Sequence, residues 1–284
     1  LGVKILLTGG TGSFGKALIR AVGQQHTIRV YSRGELLQAD ASEEFTDEAG
    51  YDCHFMIGDV RDRDRLIRAA RGVDVIIHAA AMKRIEKCEY DPWEAVQTNV
   101  GGAQNVIDAA YAWDVPRVVA LSTDKAVHPV NLYGATKLCA EKIIRNAGHT
   151  VVRYGNVMGS RGSVVHAFRS QAPHGFLKIT DPRMTRFCMT MDEAVQAVWH
   201  TVTSGGTYEG TTAPGLVVPR LPSMRVAELT TAMYPGLPVK VTGIRQGEKL
   251  HEMLLTPEEG GPYTSDNNDR WYTVDELREL VANV

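Results

Sequence analysis

No stretch of this chain approaches the ~20 consecutive apolar residues that crossing a bilayer requires, so no membrane span is expected. The first residues read as a strand and not as a secretion signal, which makes a soluble, cytoplasmic protein the expectation. Cysteine is scarce: Cys53, Cys88, Cys139 and Cys188 lie far apart, with no Cys-x-x-Cys spacing and no histidine in ligand register. That spacing argues against a disulfide framework and against a metal site, and leaves four reduced thiols. Neither sign of charge dominates. With 31 basic and 33 acidic side chains the net charge is −2, too close to neutral for a polyanion-binding surface, so nucleic acid is not expected as a partner.

What is present is an ordinary globular balance, 44% hydrophobic and 23% charged, which allows a sizeable core. Short β-branched runs at 4–8, 27–32, 54–57, 73–79, 117–121 and 151–154 alternate with helical patterns at 13–25, 62–71, 92–113 and 132–146. That rhythm predicts an α/β fold with a doubly wound, Rossmann-like parallel sheet. The runs Val73-Asp74-Val75-Ile76-Ile77 and Val118-Val119-Ala120-Leu121 barely alternate, as strands covered on both faces should not. Beyond about Gly155 the rhythm breaks and glycine and proline become frequent. The reading is a nucleotide-binding domain over 1–160 and a smaller C-terminal substrate lobe over 161–284, with the amphipathic helix near 191–204 returning to the sheet. Strands at 216–218 and 239–244 are expected to be isolated.

Thr8-Gly9-Gly10-Thr11-Gly12-Ser13-Phe14-Gly15 follows the first strand and opens into a helix. Gly10, Gly12 and Gly15 satisfy the dinucleotide fingerprint in the required context. They supply a tight turn, close backbone approach to a pyrophosphate, and close helix packing, and the helix N-terminus offers unpaired N–H groups to the phosphates. After the second strand, where an NAD enzyme carries an acid, the chain reads Tyr31-Ser32-Arg33-Gly34. Arg33 suits a 2′-phosphate, so NADP is the expected cofactor. Asp59 and Val60 are placed against the adenine, and the small residues Ala79, Ala80 and Ala81 leave room for cofactor.

Tyr133 and Lys137 stand four residues apart on one face of a predicted helix. A tyrosine is a poor base near neutral pH unless a cation favours the phenolate, and Lys137 can supply that charge. Thr123 ends the preceding strand, followed at once by Asp124 and Lys125. Eliminating water across C5 and C6 of a 4-keto sugar needs an acid for the C6 hydroxyl and a base for the C5 proton. Asp124 and Lys125 can fill those roles as a coupled pair that carries one proton between them.

Thr123, Tyr133 and Lys137 resemble the catalytic set of extended short-chain dehydrogenases/reductases. Ser122-Thr123-Asp124-Lys125-Ala126 and Asn131-Leu132-Tyr133-Gly134-Ala135-Thr136-Lys137 resemble the C5-inverting UDP-N-acetylglucosamine 4,6-dehydratases that begin pseudaminic acid biosynthesis. The likeness continues through His78-Ala79-Ala80-Ala81-Met82-Lys83, Val152-Arg153-Tyr154-Gly155-Asn156-Val157, Met184-Thr185-Arg186-Phe187 and the segment from Gly243 to Glu252. dTDP-glucose 4,6-dehydratases have glutamate at the Lys125 position, and C5-retaining relatives usually have methionine at the Tyr133 position. The resemblance implies that Lys125 is the C5 base and that Lys83 lies where nicotinamide ribose and sugar meet. It further implies that Asn156 and Val157 border the cofactor, and that Asn156, Arg161, Arg186, Arg245 and Glu248 hold the UDP-sugar. It also implies a homo-oligomer, paired through the helices at 92–113 and 132–146. Gly34, Leu37 and His128 depart from the usual Asp, Lys and Asn. A 4-epimerase, a 5,6-dehydratase and a non-enzymatic NADP-sensing regulator are the rival readings; the first and last have no use for Asp124 and Lys125.

Overall fold

The structure, a computed structural model, describes residues 2–160, 162–205 and 213–282. Six strands, β1 (Lys4–Thr8), β2 (Thr27–Ser32), β3 (Asp52–Ile57), β4 (Val75–His78), β5 (Val118–Thr123) and β6 (Thr150–Tyr154), alternate with helices. These helices are α1 (Ser13–Val22), α2 (Glu35–Glu44), α3 (Arg63–Ala69), α4 (Ile85–Tyr90), α5 (Pro92–Val96), α6 (Gly102–Ala112) and α7 (Leu132–Asn146). There follow β7 (Asn156–Val157), α8 (Val164–Gln171), β8 (Leu177–Ile179), β9 (Thr185–Met189), α9 (Met191–Thr203) and β10 (Leu216–Val217). The chain closes with β11 (Ser223–Arg225), α10 (Val226–Met233), β12 (Val239–Val241), β13 (Met253–Leu255), β14 (Tyr263–Thr264) and α11 (Val274–Ala282).

A seven-stranded sheet has the order β10-β6-β5-β4-β1-β2-β3, and every pairing in it is parallel. Both faces are covered, so Ile5, Leu6, Leu7, Ile76, Ile77, Val118 and Val119 lose all or nearly all exposure. This is why those runs show no alternation. The register aligns Thr8 with His78 and Thr123 with Tyr154. The loops that carry the sequence motifs therefore leave the sheet along one edge, where open α/β sheets bind ligands.

Three differences from the sequence reading have physical causes. Residues 216–218 do not make an isolated strand: Leu216 and Val217 pair in parallel with Val151 and Val152 and extend the large sheet. Two paired residues are too few for any periodicity to announce. α2 was not foreseen because its apolar residues do not segregate, with Leu36 80% exposed while Gln38 is buried. The pattern at 92–113 is one helical run interrupted by a π-helical turn over Gln97–Gly101, and such turns collect at functional sites.

A second core gathers Met158, Val165, Phe168, Leu177, Leu229 and Leu277, drawn from α8, β8, α10, α11 and the loop after β7. Arg153 on β6 ties the sheet and α7 to the 254–259 segment near the C-terminal end. Its guanidinium makes five hydrogen bonds: to Glu141 on α7 at 3.0 and 2.5 Å, to Glu259 at 2.7 and 3.0 Å, and to the Leu254 carbonyl at 2.8 Å.

Candidate active site

The glycine-rich turn sits directly above β1. Gly9 N–H donates to Tyr31 O at 2.8 Å, and Gly12, the N-cap of α1, has no side chain over the helix end. A Cβ on Gly15 would overlap the backbone of Gly10, so α1 packs on this turn only with glycine there. No acidic residue occupies the first turn of α1, which leaves the positive end of the dipole available to an anion. Ala79 N–H donates to Thr8 O at 3.2 Å, which seats the Ala79–Ala80 backbone beside the turn. The residues at this edge fit a dinucleotide.

At the far end, Ser32 O and Oγ both accept from Gln38 of α2, at 2.9 and 3.0 Å. The Arg33 guanidinium is 59% exposed and 3.7 Å from Asp59. Burial pushes the Asp59 carboxyl up, but hydrogen bonds from Arg61 outweigh it and hold the group below its ordinary range. The Asn105 side chain donates to Val60 O at 2.8 Å and fixes the Asp59–Val60 loop on α6.

The catalytic loop begins where β5 ends. Thr123 donates to Asp124 Oδ1 at 2.9 Å, and Lys125 Nζ donates to the same oxygen at 3.0 Å. Asp124 is fully buried. α7 starts immediately after, capped by Asn131, whose Oδ1 accepts from Gly134 N–H at 2.8 Å. A Cβ on Gly134 would overlap the Lys125 carbonyl, so glycine is what lets α7 lie against the loop. Tyr133 hydrogen-bonds to Thr123; burial pushes its phenol up to about 12, with Lys125 and the Thr123 bond pulling the other way. The structure thus joins Thr123, Asp124, Lys125 and Tyr133.

Lys137, one turn along α7 from Tyr133, is buried, its amine donating to Leu121 O at 2.7 Å. Burial pulls it down to about 8, opposed by Glu141 one turn on. The Lys125 charge also acts on the Tyr133 phenol. Lys125 itself is held above the ordinary lysine range: burial disfavours its charge, but Asp124 and Glu252 outweigh burial.

Other expected residues separate by position. Asn156 Oδ1 and Ser122 Oγ are buried and have no hydrogen-bond partner among the described residues, as suits groups that meet a ligand. Lys83 is exposed on the loop after β4, and Val157 pairs with Met189. Arg245 and Glu248 pair with each other at 2.7 Å, and Arg245 also lies 3.7 Å from Glu86. Arg186 is not an open fork for phosphate; it donates to the carbonyls of Thr185, Leu250 and Lys249 at 2.7, 3.1 and 3.0 Å. Arg161 lies outside the described residues.

Two residues without a role in the sequence reading emerge. Asn99, in the π-helical turn, accepts from Met82 N–H at 2.8 Å and donates to Met82 O at 2.9 Å and to Thr136 Oγ1 at 3.0 Å. It ties the Lys83 loop to the catalytic helix. Glu252, 3% exposed, reaches Lys125 from the C-terminal part at 3.3 Å. A polar residue inside an apolar helix, and a glutamate leading into Met253-Leu254-Leu255, were the available signals. His128 adopts a φ of 44°, a left-handed conformation that Asn and His tolerate better than most residues.

A family model described as "Polysaccharide biosynthesis protein" matches residues 5–275. The chain belongs to this family. It is 38% identical to the inverting UDP-N-acetylglucosamine 4,6-dehydratase of Campylobacter jejuni, over 99% of this chain and 97% of that protein. It is also 38% identical to a UDP-glucose 4-epimerase of Rickettsia conorii, over 90% of this chain and 78% of the relative. Among solved structures, Pen from Bacillus thuringiensis superposes with a TM-score of 0.88 at 34% identity, covering 99% and 97% of the two chains. A dTDP-glucose 4,6-dehydratase from Streptomyces venezuelae, solved with NAD and TYD bound, superposes with a TM-score of 0.77 at 20% identity over 98% and 96%. That last likeness speaks for the fold alone. This family member is a nucleotide-sugar-modifying enzyme of the short-chain dehydrogenase/reductase type and a homologue of the inverting UDP-N-acetylglucosamine 4,6-dehydratases.

Proposed function

We propose that the chain dehydrates UDP-N-acetylglucosamine to a UDP-4-keto-6-deoxy-hexosamine with inversion at C5, using NADP. The observation that carries this reading is the buried Asp124–Lys125 hydrogen bond of 3.0 Å, set against Thr123 and Tyr133. Tyr133, oriented by Thr123, takes the proton of the C4 hydroxyl. NADP, held by the glycine-rich turn with Arg33 near its phosphate end, would supply the hydride acceptor for C4 and the donor for C6, so no external reductant would be consumed. A ketone at C4 acidifies the C5 proton. The proton shared by Asp124 and Lys125 moves onto the carboxylate, leaving a neutral amine. Asp124 then protonates the C6 hydroxyl, which departs as water, while Lys125 takes the C5 proton. The pair ends as it began, and C5 regains a proton from exchangeable groups on the opposite face.

Arg33, exposed beside Asp59, supports NADP over NAD because a solvent-facing guanidinium suits a 2′-phosphate. Asn156, Lys83, Arg161, Arg245 and Glu248 form the proposed UDP-sugar site; Arg186 serves it indirectly, by fixing the 249–250 backbone. Trp93 at 66% and Tyr111 at 63% exposure support pairing of two copies through the 92–112 helical run.

The epimerase relatives favour a second reading, in which oxidation and reduction occur at C4 alone. It leaves the Asp124–Lys125 pair without a task. Incubation with UDP-N-acetylglucosamine and no added reductant decides between them. Dehydration gives a product lighter by one water; a product of unchanged mass and altered C4 configuration identifies an epimerase.

A further inference from the structure

The Lys125 amine has two carboxylate neighbours, not one. Asp124 Oδ1 lies at 3.0 Å and Glu252 Oε1 at 3.3 Å. Glu252 is 3% exposed, and its Oε2 has no hydrogen bond among the described residues. Its backbone is held on both sides by Ser265: Glu252 N–H donates to Ser265 Oγ at 2.8 Å, and Ser265 N–H donates to Glu252 O at 2.8 Å. Ser265 is itself bonded to Thr185 Oγ1 at 2.7 Å. The segment around Glu252 is further pinned to the catalytic loop, with Lys249 Nζ donating to Val127 O at 2.5 Å and Asn131 Nδ2 donating to Gly247 O at 2.8 Å. A backbone fixed this firmly presents the buried Glu252 carboxylate to its neighbour.

The other cations near Glu252 are more distant, Lys249 at 3.8 Å and Arg186 at 3.9 Å. Lys125 is its nearest partner. We infer that Glu252 is a positioning residue for the elimination step: from the C-terminal part of the chain it fixes the Lys125 amine and sets the pH range in which that amine can act as the C5 base.

The groups facing the amine give the sign. Asp124 and Glu252 favour the ammonium, Arg186 and Lys249 oppose it, and the Tyr133 phenol stands alongside. Glu252 therefore resists premature loss of the Lys125 proton, while Asp124 remains the group that receives it and hands it to the C6 hydroxyl. Glu252 neither gives nor takes a proton in the step, so the proton count is unchanged. Removing that charge makes the amine easier to deprotonate and frees it to wander.

This inference rests on the proposed dehydration, and Glu252→Gln, isosteric and uncharged, tests it separately. In Glu252→Gln, reduced nicotinamide should accumulate in a single turnover with UDP-N-acetylglucosamine, because oxidation at C4 by Tyr133 persists while elimination slows. Its kcat should fall on the order of tenfold or more, the equivalent of one charge-assisted hydrogen bond, with KM little changed. The limb of the kcat–pH profile that reports Lys125 should move to lower pH. Glu252→Asp should recover part of the rate. Wild-type kcat and an unmoved profile in Glu252→Gln would overturn the inference, as would parallel loss of oxidation and elimination in a variant with native thermal unfolding. Absence of water loss by the unmodified protein would instead overturn the dehydratase reading.

Discussion

Replacing Arg153 with methionine should be among the most damaging single changes outside the catalytic loop. Arg153 is 1% exposed and binds two carboxylates, Glu141 at 1% and Glu259 at 16% side-chain exposure. Methionine fills similar volume but leaves those carboxylates facing each other, with Arg145 at 3.6 Å from Glu259 and Lys137 one turn from Glu141 as the remaining counter-charges. Breaking a buried ion pair from one side costs about 3–5 kcal/mol, against a total stability on the order of 5–15 kcal/mol. At roughly 2–4 °C per kcal/mol for a chain approaching this size, the midpoint of thermal unfolding should drop by about 6–20 °C. The pH dependence sharpens the test. In the native protein burial pushes the Glu259 carboxyl up, but hydrogen bonds from Arg153 outweigh it and hold it below its ordinary range. That stabilisation is fully present above the unfolded carboxyl value and fades as pH falls through the folded one. Without Arg153 the buried carboxylates gain by protonation, so the variant should improve relative to the native protein on acidification. Circular-dichroism melts at pH 7 and pH 5 should converge. A midpoint within about 2 °C of native at pH 7 would refute this reasoning.

Asn99→Ala removes three buried hydrogen bonds and should cost about 3 kcal/mol by thermal unfolding, at about 1 kcal/mol per bond, with kcat reduced because the Lys83 loop loses its tie to α7. Arg33→Ala should weaken NADP binding by about tenfold or more in calorimetry and leave NAD binding nearly unchanged, since a charge-assisted phosphate contact is lost only for NADP. His128→Asn should keep native stability, whereas His128→Val should cost about 1–2 kcal/mol, because a β-branched residue strains at a φ of 44°.

The parallel sheet was legible because its signals are local: Lys4–Thr8, Thr27–Ser32 and Leu132–Asn146 appear with the bounds that the apolar runs and caps imply. The Thr123–Lys125 and Tyr133 cluster was legible for the same reason, since one strand end and one helix start carry it. Glu252 and Lys125 meet across a long stretch of chain, and no spacing rule links them. The commitment of Arg186 to main-chain carbonyls was equally hidden, because a sequence shows that a guanidinium is present and not what it faces. Leu216–Val217 joins the sheet through only two paired residues, too few to carry a strand period in the sequence.

The central claim is that a neutral Lys125 amine removes the C5 proton so that water is lost across C5 and C6. Proton NMR of UDP-N-acetylglucosamine turned over in deuterated water tests it most directly. The expected product carries a C6 methyl group, one deuterium at C5 and inverted configuration there, all lost in Lys125→Ala. A methyl product with a retained, undeuterated C5, or full turnover by Lys125→Ala, would contradict it.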